Sequence, residues 1–210
     1  MVDELVGWLD RPTPVVWDEI NDRHDTGARA MEAFDPAATH HLVVQDDVIP
    51  CVDLLASAER AISYTPGDVP VSFYLGRVRP FAQSVTRALK AHPEASWLAM
   101  QGIYWGPAVA LPTADIPDML AWFRTVTVEN YDRRMSRWYQ RRQKWCWYTR
   151  PSLVEHRGEE SLSHHTKAGR HAYEFLGADT SGLEVDWERD VVQLRKTGAM
   201  DLQRQRAAKR

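Results

Sequence analysis

The sequence predicts an α/β fold: a mostly parallel sheet flanked by helices, followed by a C-terminal extension. Three observations predict it. Short runs rich in β-branched residues, bounded by polar or proline-containing turns, alternate with longer segments of helical periodicity. The alternation holds from Val15 to about residue 156 and then fades. At 210 residues, 44% hydrophobic and 26% charged, the chain can bury one sizeable core.

Residues 3–9 predict a short helix, stopped before Pro12 and Pro14. Val15, Val16 and Trp17 read as a strand ending at Asp18. In the polar loop that follows, Asp25 or Thr26 would cap a helix over residues 28–34. Leu42, Val43 and Val44 form a β-branched run between a polar turn and Pro50, read as a buried strand. Residues 54–64 carry Leu54, Leu55, Ala58, Ala61 and Ile62 at helical spacing, and Pro66-Gly67 ends them. Val71, Phe73 and Leu75 alternate as a strand, and residues 79–91 form another amphipathic helix. Residues 97–111 read as one or two strands bent near Gly106. Residues 116–126 read as a helix, with Pro117 tolerated in its first turn. Tyr131-Asp132 opens a helix that sets Met135, Trp138 and Tyr139 on one side, and residues 145–148 form a short strand. The expected organisation is a body over residues 1–165 and a basic extension over residues 166–210. That extension is expected to order only where it packs against the body or a second chain.

Bulk properties narrow the class. No apolar run approaches the roughly 20 residues of a membrane span, and the first residues lack a signal peptide's pattern. Cys51 and Cys146 make neither a metal cluster nor a disulfide framework. A cytoplasmic protein without membrane attachment is expected. The nine tryptophans are expected mostly in packing. The net charge of −3 conceals segregation: residues 133–150 hold seven Lys/Arg and no acid, and residues 195–210 hold six against Asp201. Such segregation suits a polyanion or the phosphates of a nucleotide.

The central strand delivers adjacent acids, Asp46 and Asp47, to its carboxyl end, where ligands bind in open α/β sheets. Carboxylates suit Mg²⁺ or Mn²⁺, and Mg²⁺ shares its shell with substrate phosphates. The pair therefore points to a phosphate-bearing cosubstrate, against the alternative of a solvated turn or helix cap. Arg23 and Arg29 lie where a diphosphate would approach, or else are surface arginines.

The run Thr39-His40-His41-Leu42-Val43-Val44-Gln45-Asp46-Asp47-Val48-Ile49-Pro50-Cys51 resembles the nucleotide-sugar signature of small phage and actinobacterial glycosyltransferases. These have a GT-A-like (Rossmann-like) fold and are distantly similar to lipopolysaccharide-type transferases. Ala108-Val109-Ala110-Leu111-Pro112, Tyr131-Asp132-Arg133-Arg134, and Pro151-Ser152-Leu153-Val154-Glu155-His156 with Ser161-Leu162 resemble later parts of the family pattern. The resemblance runs from about Val15 to Leu162 and implies a catalytic domain over residues 1–165. It implies that Asp47 contacts metal and diphosphate, with Asp46 near the ribose or the metal. Gln45 stands where a strict Asp-x-Asp motif has its first acid, so which of the two acids ligates the metal stays open. His156 would complete the metal shell. Asp132 would be the catalytic base, the alternative being a helix cap. The implied cofactors are Mn²⁺ or Mg²⁺ and a nucleotide-sugar donor, a UDP-sugar first among them. Arg157 joins Arg23 and Arg29 as a candidate for the departing phosphates.

Residues 133–150 interleave basic side chains with aromatic rings. Arg141 and Arg142 would bind nucleic-acid phosphates, and Trp138 and Trp145 would stack on an extruded base. A hydroxymethylated base in phage DNA is the favoured acceptor. The alternatives are a phage or host protein or glycan as acceptor, and a non-catalytic nucleic-acid-binding α/β protein.

Overall fold

The computed structural model describes residues 2–9, 11–77, 82–127, 131–157, 170–195 and 200–203. In chain order the elements are α1 (Val2–Trp8), α2 (Arg23–Glu32), β1 (His40–Val44), β2 (Val48–Pro50), α3 (Leu54–Ser63), β3 (Val71–Ser72) and α4 (Ala82–Ala91). Then come β4 (Trp97–Gln101), β5 (Ala108–Pro112), α5 (Ile116–Phe123), α6 (Tyr131–Arg141), β6 (Trp145–Thr149), β7 (Val154–His156), β8 (Val191–Leu194) and β9 (Met200–Gln203).

The fold is α/β, with a mixed sheet ordered β1-β5-β3-β6-β4-β8-β9 and a separate two-stranded ribbon, β2-β7. The sheet is not mostly parallel. Only β3-β6 and β4-β8 run parallel; the other four described pairings in the sheet are antiparallel. The expectation of a parallel sheet rested on strand–helix alternation, which sets the order of elements and not their direction. Here β4 and β5, neighbours in sequence, are separated in the sheet by β6 and β3. Gly102, at φ +111°, turns the chain after β4, a conformation natural only to glycine.

Three local expectations change. Residues 15–17 join no strand, with Trp17 59% exposed, so the expected first strand is absent. α2 starts at Arg23, earlier than expected, because Asp22 caps it by accepting from the His24 amide at 2.7 Å. β1 is an edge strand, half-buried throughout, with Leu42, Val43 and Val44 packed against the core.

The core explains the tryptophan content. Trp97 and Trp187 are at most 1% exposed, and Trp97 contacts both Trp147 and Trp187 with ring centroids 5.3 Å apart. Their indole N–H groups are satisfied, Trp97 donating to the Trp187 carbonyl and Trp187 to the Gly182 carbonyl. The C-terminal part is thus built into the body over residues 170–195. Tyr173 donates its amide to Leu75, Ser152 to Glu174 and Leu176 to Ser152, and β8 then adds parallel to β4. Leu194 is 3% exposed. Leu194→Ala is expected to destabilise the whole protein by about 2–3 kcal/mol. A single cooperative denaturant transition shifted to lower midpoint checks it; an unshifted midpoint would show β8 to be dispensable. No helix among the described residues is long and apolar enough to cross a membrane.

Candidate functional site

The site begins with the ribbon. β2 and β7 pair antiparallel with Val48 opposite His156, which brings the turn after β1 to the end of β7. The Arg157 amide donates to the Asp47 carbonyl at 2.8 Å and continues the pairing past the ribbon. Asp47 and His156, far apart in sequence, so become side-chain neighbours: Nε2 of His156 lies 3.1 Å from Oδ2 of Asp47. Asp46, on the same turn, is exposed. Of the two adjacent acids, Asp47 is the one the fold turns toward the histidine.

The protonation of this pair follows from its partners. His156 Nδ1 lies 2.7 Å from the Arg157 carbonyl, which only accepts, so Nδ1 carries a proton. In the neutral ring, Nε2 then presents a lone pair to a carboxylate oxygen. Nε2 is buried and faces Oδ2, while the other carboxylate oxygen, Oδ1, is buried with no hydrogen-bond partner. An imidazole lone pair and a carboxylate oxygen at this distance face each other stably only with a cation between or beside them. A proton is one solution: the Asp47 carboxylate raises the His156 pKa against the opposing effect of burial. A divalent cation is the other, and the backbone bond at Nδ1 is the support a metal-bound imidazole commonly has. Among the described residues no group of three His, Cys, Asp or Glu could hold a metal. The two donors fit a cation that takes the rest of its shell from phosphate and water. The imidazole moves the preference from Mg²⁺ toward Mn²⁺.

Asp132 approaches from α6. Its neighbour Tyr131 is tied to the end of β1: Gln45 Nε2 donates to the Tyr131 hydroxyl at 2.6 Å, and that hydroxyl donates to the Gly106 carbonyl at 3.3 Å. Gln45, which stands in place of an acid, thus anchors the helix that carries Asp132. Burial pushes the Asp132 carboxyl up, opposed by the amides of Arg133 and of Asp132 itself and by Arg170. The Arg133 amide donates to Asp132 Oδ1 at 2.9 Å. Arg170 also acts on His156 and on the buried Tyr74, whose hydroxyl has no hydrogen-bond partner and feels Asp47 and Glu155 as well. The charge of Arg170 thus acts on His156, Asp132 and Tyr74 alike, and Tyr74 also feels Asp47 and Glu155. Sequence reading missed Arg170 and Tyr74, which belong to no motif it used.

Gly27 of α2 holds this arrangement from behind. A Cβ there would lie 2.7 Å from Cγ of the Tyr131 ring. Gly27→Ala is expected to push Tyr131 off Gln45, to destabilise by about 1–3 kcal/mol, and to disturb Asp132. Restoration by Tyr131→Leu in the same chain, read by thermal unfolding, checks the mechanism; an unchanged midpoint in the single variant refutes it.

The remaining candidates fall outside this cluster. Arg29 donates through Nε to Asp25 at 2.7 Å, and through its terminal nitrogens to Glu19 and to the Trp17 carbonyl at 2.6 Å. It is a local clamp, with its three nitrogens already engaged. Arg23 opens α2, and its side chain, like the Ser161-Leu162 pair, lies outside the described residues. Arg157 donates to the Val48 carbonyl and to Glu4 and lies over the Trp8 ring at 5.6 Å, with its other terminal nitrogen buried and unpartnered. Trp138 is 2% exposed and covered by Arg142 at 3.8 Å, so it offers no face to a base and the stacking role expected of it fails. Its apolar ring belongs to the stripe that α6 buries. Arg142 also approaches Asp118 at 3.9 Å, Arg141 lies over Trp122 at 5.7 Å, and Trp145 is half-buried at the start of β6. Arg141 lies nine residues beyond Asp132, about 14 Å at the rise of an α-helix.

No family model, curated protein or solved structure matches this chain.

Proposed function

We propose that this protein is a metal-dependent glycosyltransferase of GT-A-like fold, moving a sugar from a nucleotide-sugar donor, a UDP-sugar first among them, to an acceptor hydroxyl. One observation carries the reading: His156 Nε2 faces Asp47 Oδ2 at 3.1 Å while Asp47 Oδ1 is buried without a partner, and a second carboxyl, Asp132, whose pKa burial raises, follows the tyrosine that Gln45 ties to the end of β1. Asp47 and His156 would hold Mn²⁺ or Mg²⁺, which neutralises the departing diphosphate as a Lewis acid.

The chain's own residues supply the rest. Arg157, whose amide bonds the Asp47 carbonyl and whose guanidinium keeps one buried nitrogen without a hydrogen-bond partner, is suited to a phosphate oxygen. Asp132 takes the proton of the attacking hydroxyl. A carboxyl raised toward neutrality is a better base than an ordinary one, because its proton affinity is closer to that of the group it serves. A hydrolase reading is poorer: the adjacent acids are divided between an exposed Asp46 and an Asp47 turned to His156, which is no opposed carboxylate pair.

The test is a thermal-shift panel of nucleotide sugars with and without Mn²⁺, followed by release of free nucleotide. The expected result is a stabilisation needing both donor and metal, with slow donor hydrolysis. No donor shifting the midpoint in the presence of Mn²⁺ overturns the reading.

A further inference from the structure

α6 buries Met135, Ser136, Trp138 and Tyr139 and leaves Arg133, Arg137 and Arg141 exposed. The three stand at i, i+4 and i+8, one above another on a single face, about 6 Å apart along the helix axis. None of them pairs with a carboxylate among the described residues, although Arg134, Arg142 and Lys144 nearby engage a backbone carbonyl, Asp118 and Asp115 respectively. The row begins at Arg133, the residue directly after Asp132, and leads away from the candidate site.

We propose that this row is a seat for a nucleic-acid backbone, and that it presents a nucleotide of that strand as the acceptor at Asp132. The proposal rests on the glycosyltransferase reading for the word acceptor, and not for the binding surface. Three considerations select the partner. The charges are arginines, whose planar guanidinium forks match phosphate oxygens. They are regularly spaced, as a ligand of repeating charge requires. The helix has already buried its apolar face in the core, so it has nothing to insert into a lipid surface. With Trp138 enclosed, recognition here is by backbone charge and not by stacking on that ring.

The experiment measures binding of a labelled oligonucleotide to the full chain, single-stranded in one arm and duplex in the other, across a series of salt concentrations. Arg133→Glu, Arg137→Glu and Arg141→Glu together are expected to weaken binding about tenfold or more and to flatten the salt slope by about 2 units or more. The three Arg→Lys changes are expected to keep most of that slope, since charge is retained. Unfolding midpoints establish that each variant is folded. A stronger response in the single-stranded arm identifies an unpaired strand as the occupant, and in the duplex arm a double helix. Binding and slope unchanged by the triple reversal overturn the proposal, as does displacement of the oligonucleotide by polyglutamate at equal charge concentration. Failure of the glycosyltransferase reading is recognised separately, as salt-dependent retention without any donor and metal response.

Discussion

Asp47→Ala is expected to abolish the joint response to Mn²⁺ and nucleotide sugar and to lower donor turnover by about 10²- to 10⁴-fold. The figure follows from the several kcal/mol a Lewis acid contributes to a developing phosphate charge, at 1.36 kcal/mol per tenfold. The same change is expected to leave the metal-free protein close to wild-type stability. Asp47 Oδ1 is buried without a partner, so removing it relieves a desolvated atom while costing His156 its anionic neighbour. Stability and function thus separate. Calorimetric titration of UDP with and without Mn²⁺, alongside thermal unfolding, checks both halves. If Asp47→Ala retains the metal-dependent titration, the cation lies elsewhere and the proposed centre is lost. Asp46→Ala, on the exposed side of the turn, is the comparison and is expected to have the smaller effect.

Asp132→Asn is expected to slow transfer by about 10²- to 10⁴-fold, the usual contribution of a positioned general base, without weakening donor binding. The raised pKa gives a second readout. The base works when ionised, so the rate of the parent protein falls as pH drops through a value above the ordinary carboxylate range, and the variant lacks that limb. Stability moves the other way. The folded chain binds this proton more tightly than the unfolded chain, so ionising Asp132 costs stability as pH rises from the unfolded pKa through the raised folded one. Asparagine carries no such cost, and the variant is expected to unfold at the same temperature as the parent or higher near neutral pH. A marked drop in midpoint together with intact turnover would make Asp132 a structural helix-end residue only.

Helices were readable because their signals are local. Leu54, Ala58 and Ala61 on α3, Met119, Leu120 and Phe123 on α5, and Met135, Trp138 and Tyr139 on α6 are buried on the faces their spacing implies. Strand direction was not readable, since β5 against β1 and β6 against β4 are tertiary choices with no mark in the strands themselves. Trp17 shows the limit of the β-branched run as a signal: with no neighbouring strand to take its backbone bonds, the segment stays unpaired. Val191, Val192 and Leu194 were passed over because four residues in a weakly patterned region resemble a loop until β4 is there to receive them. In the site, the Asp-Asp turn and the distant His156 were legible as residue types. Their contact depends on a three-residue ribbon, and the helper roles of Gln45, Gly27 and Arg170 exist only once α2, α6 and the C-terminal stretch are packed.

The ribbon also has a consequence for synthesis in the cell. The turn bearing Asp47 leaves the ribosome early, whereas its histidine emerges only when about three-quarters of the polypeptide has been made. Until then the acid has no imidazole to meet. A nascent or prematurely terminated product therefore lacks the centre altogether, and if the cation belongs there, its capture becomes a late checkpoint in maturation.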